Sequence, residues 1–169
     1  MTILGIDPGT ATTGYAIISA PRKGEAFELV NFGVIETDKK LKDAQRLSIL
    51  VNDLNLLIKK YKPEAMGVEK LFLTTNQKTV MTVSQARGVV LLTAQQHQMP
   101  IFEFTPLQVK NFICGYGKAE KKQVQYVIQK TFKLRHVPKP DDAADAVAIA
   151  LCASYALRKE LNISNLTKT

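Results

Sequence analysis

At 169 residues, with 46% hydrophobic and 22% charged side chains, the chain has the length for one substantial core and the balance of a folded rather than a disordered protein. Its least polar stretch, Ala146 to Leu157, falls well short of the roughly 18 apolar residues that span a bilayer. The opening MTILGIDPGT puts Asp and Pro where a secretion signal needs an unbroken apolar run, so a cytoplasmic address is expected. The formal charge of +8 favours a polyanionic partner, nucleic acid first, although solvated surface lysines alone can produce such a value.

In chain order, ILGID, TGYAIIS and FELVNFGVIET read as three strands, the first two separated by the turn-forming PGTAT. Apolar residues from Leu41 to Tyr61 recur at helical spacing, and Pro63 stops that run. AMGVE at 65–69 is a short buried strand, a second helix covers about 79–98, and IFEFT at 101–105 is a fifth strand. The remainder is helical: Pro106 to Phe112, Ala119 to Phe132, and a final helix from near Asp141 that is rich in Ala, Val and Ile. GYGK and RHVPKP are surface loops. This order implies an α/β fold with a five-stranded mixed sheet flanked by helices, in which three antiparallel strands come first and crossovers supply the parallel pairs. The expected organisation is a single domain over 1–160 with a frayed tail at 161–169. Cys114 and Cys152 lack metal-ligand spacing and are read as packed, reduced thiols.

The chemistry lies in the carboxylates. Asp7 ends the first strand just before Pro-Gly, and Glu69 ends the fourth; ligands of such sheets collect beyond strand ends near topological switch points. Either acid alone is better read as a solvated or turn-forming residue. The start of the last helix, PDDAADAVAIAL, adds a third element. Asp142 and Asp145, three apart, share a helical face, and Asp141, four from Asp145, falls close to it. Asp141 is ascribed mainly to helix capping. Asp145 lies beyond the capping turn on an apolar helix, where an unpaired charge is costly and a cation is called for. If Asp7, Glu69, Asp142 and Asp145 converge, oxygen-only ligation points to Mg²⁺ or Mn²⁺. Two such ions would suit in-line phosphodiester cleavage. Neither His97 nor His136 has a setting that suggests a nucleophile.

GIDPGTATTGYAII, GVEKLF, SQARGVV, QVKNFICGYGKAEKKQVQ and DAADAVAIAL resemble, in order, the signatures of RuvC-type Holliday-junction resolvases, members of the RNase H-like superfamily. The similarity runs from Leu4 to Leu151. GIDPG or DAAD alone is a weak signal, because sugar-kinase and actin-like proteins and other RNase H-like nucleases share a strand-one Asp; the ordered set is strong. The resemblance implies an RNase H-like fold and a crossover junction endodeoxyribonuclease. It implies Asp7, Glu69, Asp142 and Asp145 as catalytic metal ligands for two Mg²⁺ ions, with Mn²⁺ as a substitute. Asp141 departs from the pattern and leaves a choice between Asp141 and Asp142, for which Asp142 is preferred. Matching positions place Lys110 and Lys121 near the scissile phosphate.

Phe72, three residues beyond Glu69, is either a core plug or an exposed platform; the resemblance favours a platform that stacks on an unpaired base. Thr74, Asn76, Gln77, Lys78, Arg87, Lys118 and Lys122 are candidate DNA-binding residues around it. The resemblance further implies a homodimer, with the helix carrying MTVSQARGVVLLTA in its interface, that makes paired symmetric nicks in a four-way DNA junction during recombination and repair. RuvA and RuvB are the expected partners. The alternatives are another RNase H-like nuclease acting on RNA-DNA hybrids or other structured nucleic acid, and a non-catalytic junction-binding module. A sugar-kinase or actin-like ATPase needs a much longer, two-lobed chain.

Overall fold

The computed structural model describes residues 1–20, 26–70 and 77–166. Five strands, β1 (Thr2–Asp7), β2 (Thr12–Ser19), β3 (Glu28–Glu36), β4 (Ala65–Glu69) and β5 (Ile101–Phe104), form one sheet in the order β3-β2-β1-β4-β5. β1 pairs antiparallel with β2, and β2 with β3; β1 and β4 are parallel, as are β4 and β5. The helices are α1 (Asp43–Tyr61), α2 (Gln77–Gln96), α3 (Pro106–Cys114), α4 (Lys121–Thr131) and α5 (Asp141–Leu166). This is the expected mixed five-stranded sheet flanked by helices, and the two parallel pairs follow from the helical crossovers α1 and α2. Element ends differ from the sequence reading by about two residues, as frayed termini do.

Local chemistry sets several of these ends. Thr105 caps α3: its hydroxyl accepts the Gln108 amide at 3.2 Å while the Gln108 side chain accepts the Thr105 amide at 2.8 Å, with Pro106 at the first turn. α1 closes on Lys62 in the left-handed conformation, directly ahead of Pro63.

Strand alternation divides the core between the two sheet faces. Leu4, Ile6, Ile17, Met66 and Val68 pack with Leu50, Leu54 and Ile58 of α1 and with Ala86, Val90 and Ala94 of α2. Ile3, Ala16, Ile18 and Ala65 pack on the other face with α5, which buries an almost continuous run from Ala146 to Ala153, and with Val124 and Ile128 of α4. α5 comes unusually close to the strands. A Cβ at Gly5 would run into the Ala146 carbonyl oxygen and Ala150, and one at Gly14 would run into the Asp142 carbonyl. Glycine in these strands is therefore required by backbone approach, and the alanines of α5 supply the matching small surface.

Both cysteines are free. Cys152 is buried, which pushes its thiol up to about 12 and leaves it inert. Among the described residues no helix is long and apolar enough to cross a membrane.

Candidate active site

Asp7 and Glu69 are the last residues of neighbouring parallel strands, one step beyond the paired Ile6 and Val68. Adjacent strands lie about 4.8 Å apart, and the two carboxyls are close enough to share a hydrogen bond. Both have the alternation phase of Gly5 and Gly67, so both face α5 rather than α1 and α2. The first turns of α5 cross this end of the sheet over Gly14 and deliver Asp142 and Asp145.

The electrostatics follow from this crowding. Burial, then the charges of Glu69, Asp145 and Asp142, raise the Asp7 carboxyl from 3.8 to about 8, with only Lys121 opposing. Glu69 is also raised, first by burial and then by Asp145, while the Asp7 hydrogen bond and Lys121 pull it down. Asp145 is raised by burial against the opposing hydrogen bond and charge of Lys121. Asp142, and not Asp141, contributes to the field at Asp7.

Asp141 is exposed and turned to α4, where it lies 3.3 Å from the Lys121 ammonium and accepts a 3.4 Å hydrogen bond from Gln125. The first α5 amides bond instead to the Pro140 carbonyl. Asp141 thus ties α4 to α5, a role beyond the capping expected from its position.

Lys121 opens α4 and donates to Asp145 Oδ2 at 2.9 Å. Burial lowers its pKa, but the hydrogen bonds and charges of Asp145 and Asp141 more than offset this and raise it. Lys121 and Lys110 line a cavity of about 210 Å³ together with Glu69 and Asp145, walled by Val109 and Val124. The sequence-derived set of four acids and two lysines is therefore gathered at one end of the sheet.

The outer residues are more varied. Lys118 and Lys122 are exposed. Gln77 and Lys78 are the first two residues of α2, and Phe72, Thr74 and Asn76 lie outside the described residues. Arg87, grouped above with the DNA-binding residues, is spent inside the protein: its guanidinium pairs with Glu103 of β5, and its Nε donates to the Glu69 carbonyl at 3.3 Å. It braces the end of β4 on which Glu69 sits. Glu103 had no signal in the sequence beyond an acid in an apolar strand.

The family profile described as crossover junction endodeoxyribonuclease RuvC matches residues 3–153. Relatives described by that same name include one from Fusobacterium nucleatum subsp. nucleatum, 47% identical over 171 residues, which cover 99% of this chain and 89% of the relative. Another, from Syntrophomonas wolfei subsp. wolfei, is 48% identical over 158 residues, covering 94% and 91%. Among solved structures, Thermus thermophilus RuvC superposes with a TM-score of 0.86 at 30% identity over 94% of this chain and 97% of that one. A second T. thermophilus structure, RuvC in complex with a Holliday junction substrate, gives 0.86 at 30% identity over 92% and 94%. A full-length match in sequence and fold, with the acids gathered at one sheet end, means that the chain belongs to the RuvC family of crossover junction endodeoxyribonucleases.

Proposed function

We propose that the chain resolves Holliday junctions in recombination and repair as a cytoplasmic homodimer that places symmetric paired nicks, using two Mg²⁺ ions or Mn²⁺ in their place. The meeting of Asp7, Glu69, Asp142 and Asp145 from β1, β4 and α5 carries this reading. The donor set fits hard divalent cations: every donor is a carboxylate oxygen, and Asp7, raised by burial first and by its acidic neighbours second, has only Lys121 in opposition. No three His, Cys, Asp or Glu side chains among the described residues are disposed around one ion, and Asp145 is bonded to Lys121. Metal binding therefore requires the carboxylates to close on the cation, with Asp145 exchanging its ammonium partner as part of that movement. Bound there, the ions would supply activation of water and neutralisation of charge at the leaving oxygen.

The chain's own residues do the positioning. Strand ends hold Asp7 and Glu69 at a spacing set by the sheet. Lys110 and Lys121, sharing a cavity with Glu69 and Asp145, are suited to orient a phosphate and to neutralise charge that develops on it. The homodimer reading is supported by α2, where Met81 and Leu92 are 66% and 58% exposed and Gln85 and Gly88 fall between them on the same helical stripe. A two-fold enzyme on a two-fold junction accounts for paired nicking. RuvA and RuvB remain the proposed partners on the junction.

The test is cleavage of a mobile synthetic four-way junction, a linear duplex and an RNA-DNA hybrid, with Mg²⁺ or with EDTA. Paired nicks confined to the junction and dependent on metal are expected. Cleavage confined to the hybrid would replace this reading with that of another RNase H-like nuclease.

A further inference from the structure

We infer that the pocket beside the β1–β2 turn binds a backbone phosphodiester of the DNA, giving the acid cluster a second cationic flank on the side of the sheet away from Lys110 and Lys121. The inference rests on the proposed binding of DNA at the acids. The pocket, about 380 Å³, is lined by the turn residues Gly9 to Thr12, by Lys39 and Arg46, and by the α2 residues Thr82 and Val83. Two cations thus face the turn that directly follows Asp7.

Two features are hard to explain as scaffold alone. Thr10 is 9% exposed and lines the pocket, yet its hydroxyl has no hydrogen-bond partner among the described residues. Buried hydroxyls are almost always satisfied; the Thr10 oxygen is closed off from the pocket, so a phosphate takes up this unused donor by turning the Thr10 side chain into the pocket. Arg46 is the second. Its Nε donates to the Thr37 hydroxyl at 2.9 Å, and that hydroxyl donates to the Thr10 carbonyl at 2.6 Å. The guanidinium is therefore fixed at the pocket with its side chain 11% exposed, and its acidic neighbour, Asp43, is 3.9 Å away and 58% exposed. A guanidinium held in one place, a nearby ammonium and a hydroxyl donor are the groups that hold a phosphate.

The location fits a DNA strand. α1 and α2 cover one sheet face and α5 the other, so Lys39 and Arg46 stand on one side of the strand ends and Lys110 and Lys121 on the other. A backbone that crosses the strand ends passes between two positive flanks with the acids in the middle.

The experiment measures binding of a fluorescein-labelled four-way junction, and of a linear duplex, by anisotropy in EDTA across a KCl series. Wild type, Lys39→Gln and Thr10→Val are compared, with the melting temperature of each. Lys39→Gln is expected to reduce the slope of log K against log salt by about one. Thr10→Val should melt at the wild-type temperature or above, because it deletes an unsatisfied hydroxyl, and yet bind the junction about tenfold more weakly. Wild-type affinity and slope in both variants would overturn the pocket. Equal wild-type affinity for duplex and junction, with both variant effects intact, would uphold the pocket and overturn the junction reading instead.

Discussion

The Lys121 ammonium donates to Asp145 at 2.9 Å while Asp141 lies 3.3 Å from the same nitrogen, so one exposed-edge lysine holds the first turns of α5 against α4. The side chains of Lys121 and Asp145 are 44% and 36% exposed, and such pairs contribute only about 0–1 kcal/mol to stability. Lys121→Met should therefore melt within about 3 °C of wild type. Cleavage under single-turnover conditions should fall by about 100-fold, as for loss of one charge-stabilising donor. Mg²⁺ binding measured by calorimetry should tighten, since Asp145 no longer has to leave a partner. An unchanged cleavage rate would remove Lys121 from the reaction.

Asp7 makes a prediction with a defined sign. Its carboxyl is raised from 3.8 to about 8 in the folded chain, so below about pH 4 both states are protonated and this group's contribution to stability is fully present. As the pH rises to 8 the folded state resists ionisation that the unfolded state accepts, and the contribution is lost. In EDTA the wild-type chain should lose stability from pH 4 to 8 by on the order of 5 kcal/mol through this group. Asp7→Asn should lack that decline, melt higher than wild type at pH 8, and fail to cleave a junction in Mg²⁺. Thermal melts across pH in EDTA check the first part, and a junction-cleavage assay checks the second.

Arg87 separates a brace from a DNA contact. Its pairing with Glu103 and with the Glu69 carbonyl lies in a partly buried seam, and removing it leaves Glu103 without its counter-charge. Arg87→Ala should lower stability by about 2 kcal/mol or more, near 5 °C in melting temperature for a chain of this size. Junction cleavage should fall with it, while the salt slope of junction binding stays at the wild-type value. A slope reduced by about one would make Arg87 a phosphate contact.

Much of the fold and of the acid cluster is legible in the sequence. Strand ends in ILGID-PG and GVE, the three-residue spacing in DAAD and the element order are local patterns, and they located the acids and the sheet. The reason Gly5 and Gly14 are glycine was not readable, because it depends on which helix crosses them and how closely. The same holds for Arg87: sequence marks a cation, and only the approach of β5 to α2 gives it Glu103 as an internal partner. Asp141 and Asp142 are neighbours of one chemistry, and only the direction each takes from the helix separates the one near Asp7 from the one that ties to α4. Thr10, Lys39 and Arg46 come together through turn, loop and helix, with no motif that unites them.

The exposed stripe of α2 gives a prediction for assembly. Leu92 is 58% exposed on the face that carries Met81 and Gly88. A charge placed there faces desolvation in the proposed dimer and costs nothing in a monomer. Leu92→Glu should weaken self-association by about 100-fold or more with little change in the far-ultraviolet spectrum. Sedimentation should then show a monomer at concentrations where wild type is dimeric, and the two nicks in a junction should become uncoupled. A variant that stays dimeric would move the interface elsewhere.

α5 is the last of the described elements, and it brings Asp142 and Asp145 to strand ends laid down within the first 69 residues. A chain still emerging from the ribosome carries Asp7 and Glu69 but only half of the acids. The remaining two arrive when the final helix docks over Gly5 and Gly14, and that docking also closes the larger core. Assembly of the four acids is therefore tied to completion of the fold, and a copy in which α5 has not docked holds only Asp7 and Glu69 at the strand ends.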